Sequence, residues 1–237
     1  MTDAPITARG GRTKLQPRGL PILVVVFAIA MAYLESAVVV YLRAALGAAT
    51  GEVFPIDLSS NSELLGWIEI GREAATIVMI GAVGWIVGRS PLERLAWSAV
   101  VFGAWDIGYY AWLWVFSGWP SGLDTWDLLF LIPLPWAGPV WAPVVVSLLL
   151  VGFGLALAGL THERGESHAS PGQLAVLIGG GVVVIASFLT NAGVILDGGT
   201  PVDFAWPIYW AGIGIGVVAA AWILRSNAEP RPVSRSG

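Results

Sequence analysis

The stretch Leu128-Leu-Phe-Leu-Ile-Pro-Leu-Pro-Trp-Ala-Gly-Pro-Val-Trp-Ala-Pro143 carries no charge and runs straight into a second apolar stretch that ends at Leu160. Together they are too long for one simple membrane span, which needs about 20 predominantly apolar residues. Proline removes a backbone donor and breaks a helix interior, and Pro133, Pro135, Pro139 and Pro143 all fall in this stretch. The expectation is a non-helical segment over 128–142, interfacial or re-entrant, leading into a span from about Val144 to Leu160. Non-helical backbone at membrane depth is tolerated only against protein or a water-filled cavity. A kinked, lipid-facing helix is the plainer alternative.

Working outward, five further apolar segments flank this one: Leu20–Leu46, Leu64–Val87, Leu95–Phe116, Leu174–Leu189 extended to about Leu196, and Phe204–Leu224. The fold class read from them is all-α, a polytopic transmembrane bundle of about six spans with a proline-broken segment on the outer side. Of the 237 residues, 56% are hydrophobic and only 12% are charged, about half the share in a soluble domain. This composition excludes a soluble enzyme, a disordered chain and a basic nucleic-acid binder. The chain has no Cys, which excludes disulfides, Fe–S clusters and Cys-ligated zinc. His162 and His168 share one polar segment, so no haem or copper site is expected in the apolar part.

The basic residues set the expected orientation. Arg9, Arg12, Lys14, Arg18, Arg89, Arg94, Arg164, Arg225, Arg231 and Arg235, ten of twelve, fall on one side, which is assigned to the cytoplasm. The opposite connections (47–63, 117–127 and 197–203) contain no Lys or Arg, but hold Glu52, Asp57, Glu63, Asp124, Asp127, Asp197 and Asp203. Both termini are then cytoplasmic and the protein is expected in a cytoplasmic (inner) membrane. The first span is longer than a signal-peptide h-region and has no clean small-residue cleavage site. Residues 1–19 and 226–237 read as tails, and 20–225 as one bundle domain. No internal repeat supports an inverted-repeat transporter.

The remaining basic residues, Arg43 and Arg72, lie within or at the end of spans, together with Glu35, Glu69, Glu73 and Asp106. Ionisable groups in a membrane segment are costly and face the protein interior, which makes them functional candidates. At about 1.5 Å per residue, Glu35, Glu73 and Asp106 reach overlapping depths in the central and outer half. Glu69, Arg72, Glu73 and Thr76 follow an i, i+3, i+4, i+7 stripe, and Phe102, Asp106, Tyr109, Tyr110 and Leu113 follow a similar one. These four carboxyls exceed the nearby cations. Some therefore carry protons, a cation is bound, or water fills the site. The plainer reading is an Arg72 ion pair with Glu69 or Glu73 that locks the bundle. No cofactor is expected. An all-oxygen site would suit Mg, Ca, Mn or Fe, but the Glu-x-x-His pairs of a di-iron site are missing.

Of the 13 Trp residues, Trp112, Trp114, Trp119, Trp126, Trp136, Trp141, Trp206 and Trp210 gather toward the outer side. An interfacial aromatic belt accounts for many of them. A pocket wall under a lid formed by residues 117–142 is the sharper reading. Trp105 beside Asp106, and Trp126 between Asp124 and Asp127, place aromatic faces next to carboxylates. That pairing suits a cationic ligand or a developing carbocation, or a flat apolar ligand such as a quinone or isoprenoid. The Gly-rich parts of the last two spans are read as close helix packing. Segment 161–172, with His162, Glu163, Glu166 and His168, is read as a flexible solvated loop rather than a metal site.

Phe102-Gly-Ala-Trp-Asp-Ile-Gly-Tyr-Tyr110, Gly118-Trp-Pro120, Thr125-Trp-Asp127, Leu131–Pro143 and Gly71-Arg-Glu-Ala-Ala-Thr-Ile-Val-Met79 resemble a family of uncharacterised bacterial integral membrane proteins. The resemblance covers roughly residues 30–150 and implies a shared architecture with no assigned activity. The Trp-Asp-x-x-Tyr word at 105–109 is similar to the Trp-Glu-x-x-Tyr word of fungal integral-membrane terpene cyclases, and implies protonation-initiated chemistry on an isoprenoid.

The leading functional reading is a membrane-embedded site that binds or transforms a hydrophobic small molecule (lipid, quinone or isoprenoid) by acid/base chemistry. Asp106, Glu73, Glu69 and Glu35 are the candidate acid/base groups. Arg72, Tyr109, Tyr110, Trp105, Asp124, Trp126, Asp127 and Trp136 are the candidate ligand-binding residues. The alternatives are a proton- or cation-coupled transporter and a non-catalytic subunit or assembly factor of a membrane complex. The expected partners are the bilayer and a hydrophobic small molecule, with no nucleic acid.

Overall fold

The computed structural model describes residues 19–45, 63–165 and 167–229. It contains the helices α1 (Leu20–Ala45), α2 (Glu63–Val87) and α3 (Pro91–Ser117), then the strands β1 (Trp126–Phe130) and β2 (Trp136–Pro139). The helices α4 (Trp141–Arg164), α5 (Pro171–Leu189), α6 (Ala192–Leu196) and α7 (Trp206–Ala228) follow. Six of these helices, all but α6, are long and apolar enough to cross a membrane. The architecture is an all-α bundle carrying one small sheet.

Local chemistry fixes the helix ends. Ser90 accepts from the Glu93 amide at 3.2 Å, and the Glu93 carboxylate accepts from the Arg89 amide at 2.7 Å. Pro91 opens the first turn, where its missing N–H costs nothing, and Gly118 closes α3 in a left-handed conformation (φ 70°). Ser170 and Gln173 form a reciprocal capping box at the start of α5. The fifth span does not extend to Leu196 as expected. It ends at Leu189, where the Thr190 hydroxyl donates to the Ser187 carbonyl (2.9 Å) and Asn191 turns to donate to the Asp203 carbonyl (3.0 Å).

At its other end the bundle extends further than expected, with α7 running to Ala228 rather than stopping near 225. Asn227 explains the extension, because its side chain accepts from the His168 amide and donates to the His168 carbonyl, each at 2.8 Å. The segment expected as a flexible loop is therefore tied down around His168. Among the described residues no three His, Asp or Glu side chains gather as metal ligands. Glu52 and Asp57 and both outer ends of the tails lie outside the described residues.

α3 is the central helix. It packs against α1, α2 and α4, and 56% of its apolar window is buried inside the protein, against 22–33% for the other spans. Small residues set the approach to α4: a Cβ at Gly103 would stand 2.4 Å from the Ser147 carbonyl oxygen. A second, largely separate unit is the α5–α7 pair, which joins the rest through α4 and β2.

The proline-rich stretch is re-entrant, and its backbone form is a β-hairpin rather than irregular chain. β1 and β2 pair antiparallel, with Asp127 opposite Gly138 and Phe130 opposite Trp136. The mouth closes where Val140 and Trp141 donate to the Thr125 and Leu123 carbonyls at 2.9 and 3.0 Å. The tip lies far below. Phe130 packs on Phe102 and Trp105 of α3, with ring centroids 6.4 and 6.3 Å apart. Phe102 is fifteen residues before the end of α3 at Ser117, so at 1.5 Å per residue the hairpin descends roughly 22 Å. Pairing satisfies backbone groups between the two strands and a side chain of α2 takes the Leu131 amide, while Pro133 and Leu134 at the tip stay exposed. α4 begins at Trp141, three residues earlier than expected, because Pro143 is tolerated in a first turn.

Candidate functional site

Counted from the hairpin end of the bundle, Glu35 lies ten residues into α1, Asp106 eleven into α3, and Glu69 and Glu73 six and ten into α2. The common depth follows from helix lengths alone. The side chains then form two groups, divided by the hairpin and by Tyr109.

The first group joins α1 to α2. The Arg72 guanidinium grips Glu69 through two nitrogens, one of them at 2.9 Å, and its remaining terminal nitrogen pairs with Glu35. Thr76 donates to the other Glu35 oxygen at 3.2 Å. The expected stripe on α2 is thus real, but one guanidinium serves two carboxylates from different helices. The side chains of Arg72, Glu69 and Glu35 keep 19, 15 and 10% of their surface exposed, so the triad is not sealed off. Ser36, the next residue of α1, donates to the Tyr109 carbonyl at 3.0 Å and holds α1 against α3.

The second group surrounds the hairpin. Glu73 pairs with neither Arg72 nor Glu69. Both of its oxygens accept the Leu131 amide, at 3.0 and 2.8 Å, and the Ile132 amide also donates to it. Asp106 is buried and accepts from the Ser147 hydroxyl of α4 at 2.8 Å. Asp127, carried down on β1, is 2% exposed and accepts from the Tyr110 hydroxyl at 3.0 Å. Burial pushes the Asp127 carboxyl up to about 6, against the opposing pull of Arg43 and the Tyr110 hydrogen bond.

Tyr109 stands between the groups. It lies within electrostatic reach of Arg72 and Glu69 on one side and of Asp127 and Arg43 on the other. Its ring stacks on Trp105 at 6.2 Å and meets Tyr110 edge-on at 5.1 Å. Around these rings sit five carboxyls and two guanidinium groups. Among the described residues, Asp106 and Glu73 have only neutral hydrogen-bond donors as direct partners.

Of the residues expected to bind a ligand, Arg72, Tyr109, Tyr110, Trp105 and Asp127 come together here. Trp136 lines the hairpin, between Phe130 and Phe188. Asp124 and Trp126 are not brought in. Asp124 is exposed at the hairpin mouth, and Trp126 packs edge-on to Phe204 at 6.3 Å, away from the carboxylates. Sequence reasoning missed Ser147, an isolated hydroxyl in an apolar span, and set aside Arg43, whose guanidinium lies 4.3 Å from the centre of the Trp119 ring. The aromatic layer is also more core than belt. Trp141 and Trp206 stack at 4.2 Å within a cluster of rings from α4, α5, α7 and the hairpin, while Trp114 and Trp210 remain exposed.

No family model, curated protein or solved structure matches the chain. The chemistry of the buried groups is therefore the ground for a functional reading.

Proposed function

We propose that this membrane protein binds a hydrophobic small molecule, of the lipid, quinone or isoprenoid class, and exchanges a proton with it. Asp106, Glu69 and Glu35 are the acid/base groups of this reading, and Arg72, Tyr109 and Tyr110 orient them. The observation that carries it is the excess of carboxyls over guanidinium groups around Tyr109, with Asp106 held by nothing more than a neutral hydroxyl. A carboxyl with no cationic partner in a low-dielectric site favours its protonated form, and a positioned carboxylic acid is a general acid. The aromatic faces of Trp105, Phe102 and Phe130 beside it suit a flat or polyunsaturated ligand. The orientation proposed with this reading puts both termini in the cytoplasm of a bacterial inner membrane, from the distribution of Arg and Lys.

The test compares lipid and isoprenoid extracts of cells that express the wild-type protein, Asp106→Asn or Glu69→Gln at matched levels. A compound that accumulates or disappears in both variants is the expected result. Extracts identical to wild type in both sink the proposal.

A second reading, proton- or cation-coupled transport, draws support from the hairpin itself, since non-helical backbone at membrane depth is tolerated against protein or along a water-filled cavity, and such a cavity would serve as a solute path. It predicts pH- or cation-driven flux in proteoliposomes, and no flux across a broad ion panel counts against it.

A further inference from the structure

The hairpin is held at depth in an uneven way. Its β2 side leans on α5 through rings alone: Trp136 stacks on Phe188 at 6.5 Å, and Gly138 lies so close to Phe188 that a Cβ would approach a ring carbon to 2.8 Å. Its floor is the Phe102 and Trp105 surface of α3. Among the described residues, the hydrogen bonds that hold its tip to a helix all run to one side chain, Glu73 of α2. The tip residues Pro133 and Leu134 are exposed. The hairpin thus fills the gap between α2 and α5, over Asp106 and Tyr109.

We propose that this hairpin is a lateral gate between α2 and α5, that Glu73 is its latch, and that protonation of Glu73 releases it. The inference rests on the acid/base reading above and supplies the entry route for its ligand, from the bilayer directly onto the face of α3. An ionised carboxylate accepts two converging N–H groups in strong, charge-assisted bonds. A proton on either oxygen removes the charge and sets a donor against the Leu131 amide. The charged groups that act on Glu73 are Arg72 and Glu69 of its own helix. Behind them stand Glu35 of α1, bridged to Arg72, and Tyr109 of α3, in reach of Arg72 and Glu69, while the hairpin contributes the Leu131 and Ile132 amides and, higher up, Asp127. Arg72 is already shared between Glu35 and Glu69, so it does not take over the latch. Glu73 is in this view a positioning residue, distinct from the acids that meet the ligand.

The chain has no Cys, so spin labels can be placed without background. Labels at Leu134→Cys on the tip and Val78→Cys on α2, both exposed, report the gap in lipid nanodiscs. At neutral pH a narrow distance distribution is expected. Acidification should lengthen and broaden it, Glu73→Ala should give the open distribution at every pH, and Glu73→Gln should populate both. Should the alanine variant fail to fold, the glutamine variant and the wild-type titration decide the matter. A distribution that stays narrow in the Glu73 variants, or a pH response that persists in them, overturns the gate. The measurement needs no ligand, so a static hairpin removes the gate and leaves the acid/base reading to its own test.

Discussion

The α1–α2–α3 side and the α5–α7 pair solve the same assembly problem with opposite chemistry. α5 and α7 meet through glycine: a Cβ at Gly180 would lie 2.7 Å from the Gly216 amide nitrogen, and one at Gly212 2.6 Å from that of Val184. Apart from Arg225 in the last turn of α7, the two helices hold no acidic or basic residue. Close backbone contact of this kind suffices to pair helices in lipid, where burial of apolar surface gives no advantage. On the other side, five carboxyls and two guanidinium groups crowd one region of comparable thickness. Since the α5–α7 pair holds without such groups, stability alone does not call for them. The polar half is where a function would be built, at a cost in desolvation.

The strongest attack on this contrast removes Arg72. Arg72→Met leaves Glu35 and Glu69 facing each other without a cation, and breaking a buried ion pair from one side costs about 3–5 kcal/mol. Thermal unfolding in nanodiscs should show a large drop in midpoint. Adding Glu35→Gln and Glu69→Gln to the same variant should restore most of it. If the restored triple variant also keeps the wild-type extract profile, the triad is only a helix lock, and the subunit reading gains.

The next largest effect belongs to the apolar half. Gly180→Val drives a branched side chain into the backbone of α7, and such overpacking costs about 3 kcal/mol. Gly179→Val and Gly181→Val are the controls, because a Cβ at either position meets nothing within 4 Å. Equal loss in all three variants would mean that α5 does not pair with α7 through Gly180.

These two regions were unequally legible in the sequence. Apolar run length identifies all six spans, since a bilayer sets a minimum apolar length for each helix, while the ends of α3, α4, α5 and α7 depend on caps and turns and fall several residues from where the apolar runs stop. The carboxylate depth followed from the same count. The hairpin was only half visible: Pro133, Pro135 and Pro139 announce that a helix is impossible, yet strand pairing depends on Asp127 finding Gly138 across a loop, which no periodicity in so short a stretch reveals. The partner of each charge was also hidden. Glu73 and Arg72 are adjacent on one helix face, but Glu73 turns to the Leu131 amide, a backbone group that leaves no mark in side-chain patterns. Ser147 is invisible for a related reason, because one hydroxyl in an apolar span reads as a helix-packing residue until Asp106 is seen opposite.

A third test probes the cost of carrying a carboxylate down with the hairpin. Asp127 ordinarily titrates near 3.8 and is held at about 6 in the folded protein, so the folded state binds its proton more tightly than the unfolded state. Wild-type stability from this group is then full below 3.8 and declines as pH rises from 3.8 to about 6. Asp127→Asn keeps an acceptor for Tyr110 and does not ionise. It should be more stable than wild type by about 3 kcal/mol above this window, with the advantage fading as pH falls toward its lower edge. A stability difference that does not change with pH would show that Asp127 is solvated, and that the hairpin is looser than its contacts on α3 require.

The smallest effect is the most local. Ser147→Ala removes the one hydroxyl that donates to Asp106 while leaving the α3–α4 packing at Gly103 untouched, since that contact is to the Ser147 backbone oxygen. Loss of a single hydrogen bond to a buried acceptor costs about 1 kcal/mol, and thermal unfolding should fall by a correspondingly small step. If Asp106 is protonated in the resting protein, it can turn its own proton to a neighbouring acceptor, and the Asp106→Asn background should then make Ser147→Ala nearly silent. If Asp106 is ionised, Ser147 is its chief stabilising contact, and the loss should exceed that seen in the Asp106→Asn background. The double-mutant cycle therefore reads the charge state of the residue on which the proposed chemistry depends, and a strongly coupled, ionised Asp106 would shift the polar half from acid catalysis toward cation binding.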